Sequence, residues 1–166
     1  LALTGGNYTC SDVGQTTETL TVTDVNGNVS SCVANITIED NVSPNAVCQD
    51  VTVQLNASGQ AFVNASQVDN GSSDACGLAS LVLSQSQFDC NEVGSNSVLL
   101  AVDDVNGNTG ICFATITVED NIAPNALCQD VTIQLTAAGT ATITANDIDN
   151  GSSDNCGIGS LSLDNT

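Results

Sequence analysis

Ser97-Val-Leu-Leu-Ala-Val-Asp103 and Ile111-Cys-Phe-Ala-Thr-Ile-Thr-Val-Glu119, separated by Asp104-Val-Asn-Gly-Asn108, read as the two arms of a hairpin. β-Branched and apolar residues fill both arms, and the Asn-Gly pair between them favours the positive φ angles of a hairpin turn. Working outward, residues 50–55 alternate Val51, Val53 and Leu55 with Thr52 and Gln54, the period-2 pattern of a half-buried strand. Asn56-Ala-Ser-Gly59 is turn chemistry, a short strand follows over 61–65, and 78–84 supplies another. No stretch shows helical periodicity with caps. Short strands at close intervals, punctuated by Gly, Asn, Asp and Ser turns, predict an all-β chain built as a β-sandwich.

The hairpin occurs twice. Residues 1–80 overlay 81–160 without insertion or deletion, and 42 of those 80 positions are identical, all four cysteines included. Leu161-Ser-Leu-Asp-Asn-Thr166 opens a third copy. A fixed period of this size predicts a strung or stacked array of like units. Pro44 and Pro124 are the only prolines, and proline interrupts strand pairing and stiffens linkers, so they mark the expected junctions. The complete unit is then 44–123. Residues 1–43 form the C-terminal half of a preceding unit, and 124–166 the N-terminal half of the next. The two halves make one unit with an overlap of 1–6 against 161–166. That arrangement fits a stretch of a longer secreted array. It equally fits head-to-tail strand complementation between copies of the chain, which covers sheet edges and builds a non-closing filament.

Charge narrows the function classes. The chain has nineteen Asp and Glu and no Lys, Arg or His. Nothing in it could neutralise phosphates or an anionic membrane surface, so no nucleic acid is expected as a partner. No apolar run approaches the roughly 18–20 residues a membrane helix needs, so no membrane insertion is expected. Without Lys or Arg the chain also offers no trypsin-type cleavage point. Unpaired carboxylates repel one another, and divalent cations are the natural remedy. Eight cysteines without His or a Cys-x-x-Cys pair argue for disulfides over zinc or redox chemistry. Disulfides place the chain in an oxidising compartment, extracellular or at a cell surface, and an 80-residue unit is small enough to need such staples.

Asp104-x-Asn106-x-Asn108 and its twin Asp24-x-Asn26-x-Asn28 carry alternate oxygen ligands around a Gly, like the opening of a calcium loop, but the closing bidentate Glu is missing. A plain hairpin turn explains the same residues. The calcium reading gains weight if the adjacent linker Glu119-Asp120-Asn121 folds against the same end of the sandwich; Asp120 and, in the first copy, Asp40 are counted among the candidate ligands. The acidic loop Asp69-Asn-Gly-Ser-Ser-Asp74, repeated over 149–154, reads as solvated. Asn7, Asn35, Asn56, Asn64, Asn70 and Asn150 head glycosylation sequons, as do Asn28 and Asn41. No enzyme activity is expected: catalytic base, nucleophile partner and oxyanion clamp lack a His, Lys or Arg. The aromatics are Tyr8, Phe62, Phe88 and Phe113, and the Phe residues suit the core better than a sugar-binding pocket.

Pro-Asn-Ala-Val-Cys48-Gln-Asp, Asp-Ala-Cys76-Gly, Phe-Asp-Cys90 and Asp-Val-Asn-Gly-Asn-Thr-Gly-Ile-Cys112 resemble the hyalin repeat (HYR) module, especially the tandem repeats of large Bacteroidota surface proteins. The likeness covers the whole chain, which departs from it in lacking basic residues. It implies immunoglobulin-like units acting as extracellular adhesion or spacer modules. Three pairings of Cys48, Cys76, Cys90 and Cys112 exist within the complete unit. The resemblance, with the local layout, favours Cys48–Cys76 and Cys90–Cys112, and hence Cys10–Cys32 and Cys128–Cys156. The expectation is an extracellular structural protein that forms a fibre or stalk with copies of itself. The alternative is a calcium-dependent adhesin whose loops grip a glycan or protein ligand. Variation between the copies concentrates in 2–11 against 82–91 and 15–18 against 95–98, where a recognition edge would lie.

Overall fold

The Asp104–Asn108 segment reverses the chain between two long strands, β7 (Gly94–Asp104) and β8 (Thr109–Glu119), and the rest of the central unit packs on this hairpin. The computed structural model describes residues 6–164. Five earlier strands precede the pair along the chain: β1 (Gly14–Thr23), β2 (Val29–Ile38), β3 (Val51–Gln54), β4 (Gln60–Phe62) and β5 (Leu78–Leu83), and β6 (Gln87–Asp89) lies just before β7. The main sheet has the order β3-β8-β7-β5, with β3 parallel to β8 and the other pairs antiparallel. β4 and β6 form a two-stranded ribbon, and β1 and β2 a separate hairpin.

Alternation along the long hairpin decides which residues are inside. Val98, Leu100 and Val102 of β7 and Ala114, Ile116 and Val118 of β8 all point into the core and are at most 4% exposed. Ala61 and Phe88 from the ribbon, with Leu55, Val63 and Val68, close the core from the other side. The core thus lies between two layers of β structure. Residues of opposite parity face outward, which corrects the expectation for the phenylalanines. Phe88 is buried, but Phe62 follows buried Ala61 and Phe113 precedes buried Ala114, so both face solvent.

Two single-turn helices, α1 (Ala65–Val68) and α2 (Ala145–Ile148), were not anticipated, because one turn is too short to show a 3.6-residue period. The hairpin turn also differs from expectation in detail. Only Gly107 has positive φ, at 95°, and Asn106 does not share it. The loop is therefore longer than the two-residue turn in which both central residues need positive φ.

Residues 131–134 repeat the Val-Thr-x-Gln pattern of β3, yet they form no strand, and neither do 158–163, the counterpart of β5. Their local sequence is right for strands; what differs is the neighbour. β3 and β5 each lie against the β7–β8 hairpin, and no hairpin lies against 131–134 or 158–163 among the described residues. A lone strand leaves its backbone donors and acceptors unpaired, so pairing decides the outcome.

Candidate functional site: the stapled joint between units

Three disulfides form: Cys10–Cys76, Cys48–Cys112 and Cys90–Cys156, with Cα separations of 5.1, 5.8 and 5.3 Å. The expected Cys48–Cys76, Cys90–Cys112, Cys10–Cys32 and Cys128–Cys156 do not. Cys48 and Cys128 form β-bridges with Asp69 and Asp149, seven residues before Cys76 and Cys156, and strand register explains the other two pairs. Cys112 lies opposite Leu100 on β7, whereas Cys90 precedes the other end of that strand. At about 3.3 Å per residue the two are separated by roughly 20 Å or more, far beyond the ~7 Å a disulfide tolerates. Cys32 lies opposite Leu20 of β1 in the same way, remote from Cys10. Among the described residues Cys32 and Cys128 are free and exposed.

Only Cys48–Cys112 lies within the 44–123 unit expected from the sequence. The other two cross its boundaries. Cys10 opens a 3-10 turn (Cys10–Asp12) ahead of β1 and reaches into the 69–77 loop at one end of the unit. Cys90 opens the equivalent turn (Cys90–Glu92) and reaches forward to the 149–157 loop. Each boundary is therefore crossed twice, by the Pro-containing linker and by a disulfide 66 residues apart in sequence. A single tether leaves a joint free to swivel about it, and a second covalent tie removes most of that freedom.

Polar contacts complete both joints. At the first, Asn106 donates its side-chain amide to Asp40 Oδ2 at 2.8 Å, and Asn108 donates to the Asp40 carbonyl at 3.0 Å. At the second, the Asn155 amide donates to Asp120 Oδ1 at 3.1 Å and to the Asn56 carbonyl at 3.4 Å. Gly59 sits where only hydrogen fits. A Cβ there would lie 2.7 Å from the Cys90 sulfur and 3.0 Å from the Asn155 carbonyl oxygen.

The calcium candidates divide. Asp40, Asp104, Asn106 and Asn108 meet at the first joint, together with Asp74, which the sequence reading assigned to a solvated loop. The linker there is the preceding one, carrying Asp40. Asp120 lies at the opposite end of the unit, against Asn155. Asp24, Asn26 and Asn28 form the exposed tip of the β1–β2 hairpin. The Asp104 carboxylate accepts from the Asn106 N–H at 2.9 Å, the Asn108 N–H at 2.8 Å and the Asn108 amide at 2.7 Å, so both oxygens serve the turn. Asp24 does the same with Asn26 and Asn28. Asp40 and Asp74 offer carboxylate oxygens within 4.8 Å of one another beside the Cys76 sulfur, which is already bonded to Cys10. The sequon asparagines are exposed, and Asn56 Oδ1 accepts from Ser58 and Gln60 in its turn.

Burial works to raise the Asp104 carboxyl pKa, but donation from Asn108, Asn106 and Gly107 outweighs it, and the group sits below the usual carboxylate value. Its stabilising contribution is thus complete above the unfolded-state value and is lost as pH falls through the lowered folded one. Asp104→Asn is expected to flatten the acid limb of a melting-temperature profile below about pH 4. An unchanged limb would assign acid sensitivity to other carboxylates.

Two further residues emerge from comparing the copies in space. Tyr8 donates its hydroxyl to Glu18 Oε1 at 3.0 Å. Their counterparts eighty positions on are Phe88 and Val98, both core residues. Both lie in stretches already singled out for variation between the copies. The missed signal was that the two replacements are a matched pair, a hydroxyl with a carboxylate in place of two apolar side chains. No family model matches the chain, and no curated protein matches it.

Proposed function

We propose that the chain is an extracellular structural protein in which immunoglobulin-like units of the hyalin-repeat kind are strung head to tail into a fibre or stalk. The single observation that carries this reading is the doubly tied joint, formed at both ends of the central unit by the same 66-residue disulfide spacing. Repeating one fixed joint gives constant rotation and rise, the requirement for a straight or helical filament. The antiparallel strands β5, β7 and β8, with the β4–β6 ribbon packed across the core from them, support the immunoglobulin-like assignment, and β3 joins that sheet in parallel. Three disulfides suit an oxidising extracellular setting, and no helix among the described residues is long and apolar enough to cross a membrane. Negative-stain electron microscopy tests the reading: rods or filaments with a regular axial repeat are expected, and separate compact particles at every concentration would reject it.

A second reading, the calcium-dependent adhesin, draws on the approach of Asp40 to Asp74 across the first joint. Two facing carboxylates without a cation between them repel, so a bound divalent ion would stiffen the joint. On this reading millimolar calcium raises the melting temperature and chelator reverses it. A curve indifferent to both removes calcium from the account. Catalysis has no place in either reading.

A further inference from the structure

Two exposed apolar faces in this chain are counterparts of the two sides of its own buried core. On the β1–β2 hairpin, Leu20 is 60% and Val22 57% exposed, while Leu100 and Val102, eighty positions on, are fully buried. On the other side, Leu135 is 69% exposed where Leu55 is 4%. Ile133 and Leu161 are open as well, at the positions of Val53 and Leu81, which pack against the core. The 124–164 segment keeps the bridges Asn125↔Ser153 and Cys128↔Asp149, matching Asn45↔Ser73 and Cys48↔Asp69. It thus keeps the pairings that fix 45–48 against 69–73, while the counterparts of β3 and β5 stay unpaired, because among the described residues no hairpin packs on them. The β1–β2 hairpin is the counterpart of β7–β8, and among the described residues no other strand pairs with it.

We propose that these faces join between two copies of the chain, residues 124–164 of one receiving the β1–β2 hairpin of the next, and that a disulfide from Cys128 to Cys32 of the second copy seals the joint. This rests on the fibre reading above and names its bond. The internal unit supplies the geometry. Val51 pairs with Ile116 and Leu81 with Val102, so Val131 meets Ile36 and Leu161 meets Val22 of the next copy. Cys48 bonds Cys112 across the same interface, and its counterparts are Cys128 and Cys32, the two free cysteines. Each seal forms one S–S bond as two thiols give up two protons and two electrons. The acceptor is a small-molecule disulfide, which leaves as two thiols. Because the surfaces are different and lie at opposite ends, the contact does not close on itself and propagates as a filament.

The template transfers imperfectly at two places, and both are informative. Glu18 takes the position of Val98, so completing the joint buries its carboxylate with only the Tyr8 hydroxyl identified as a donor. Ser30 takes the position of Gly110, where a Cβ would lie 2.1 Å from the Pro44 carbonyl, so the backbone near Pro124 must give way. Both features weaken the non-covalent contact, and a covalent seal offsets that weakness.

The test is non-reducing gel electrophoresis in denaturant of protein incubated with oxidised glutathione, alongside micrographs of the same sample. A ladder in multiples of 16.7 kDa is expected, collapsing to one band with thiol. Peptide mass mapping after cleavage at acidic residues should recover Cys32 joined to Cys128. Cys128→Ser removes no bond present within the chain; it should abolish the ladder and leave filaments that dissolve in denaturant. Leu20→Asp should abolish both. Glu18→Val should lower the concentration at which filaments appear by about tenfold. Filaments whose Cys32 and Cys128 remain open to maleimide would overturn the seal while leaving the fibre reading intact. Ladders dominated by Cys32–Cys32 or Cys128–Cys128 links would overturn the proposed geometry. Absence of any filament would remove the reading on which the proposal rests.

Discussion

Thiol reduction is expected to lower the melting temperature by about 20 °C or more. The three disulfides close loops of 64 to 66 residues, and the chain-entropy relation assigns about 4 kcal/mol to a loop of this size. Residual structure in the reduced chain trims that figure, but even half of it, taken three times, rivals the 5–15 kcal/mol typical of a whole domain. The bonds should not contribute alike. Cys48–Cys112 ties β8 to the segment entering β3 inside the packed unit, so Cys48→Ser with Cys112→Ser should destabilise the unit's own transition. Cys10→Ser with Cys76→Ser loosens the first joint, and should leave the transition of the central core largely in place while freeing the residues before Pro44 to move against it. Calorimetry with and without reductant, combined with micrographs of the joint variant, separates the two. Identical melting curves in reductant would mean that the core carries itself and that the sulfur bonds are incidental.

What could be read from residues alone follows from the range over which each feature is determined. The β7–β8 hairpin was legible because its signals are local: alternation in each arm and an Asn-Gly between them. β6 was not, since Gln87-Phe88-Asp89 is three residues long and mostly polar, and it becomes a strand by pairing with β4. Residues 51–54 and 131–134 show the limit most directly, for nearly the same tetrapeptide is a strand only where a hairpin lies beside it. That the cysteines form disulfides was readable, but the pairing was not. The partners 66 residues apart are brought together by how one unit stacks on the next, and Cys48 and Cys112 by the pairing of β3 with β8; spacing along the chain records neither. Asp40 and Asp74 meet for the same reason, one lying on the linker and the other in a loop of the following unit.

Leu100→Ala and Leu20→Ala make the same chemical change at equivalent points of two hairpins, and they should behave in opposite ways. Leu100 is fully buried among residues that cannot all collapse into the space it leaves, so its loss is expected to cost about 3–4 kcal/mol and lower the melting temperature by roughly 10 °C. Leu20 is 60% exposed, so in dilute, unassembled protein the same truncation should change stability by no more than about 0.5 kcal/mol. Under assembling conditions the order changes. If the β1–β2 hairpin is received by residues 124–164 of a neighbour, Leu20 acquires the burial that Leu100 already has, and its loss should then cost the contact a comparable amount. The pair of variants thus measures where burial is completed, by reading melting in the dilute state and filament yield in the concentrated one. A Leu20→Ala protein that melts early while dilute would show that its hairpin is already covered within one chain. One that forms filaments as readily as the parent would show that the apolar face of β1 is not where the units meet.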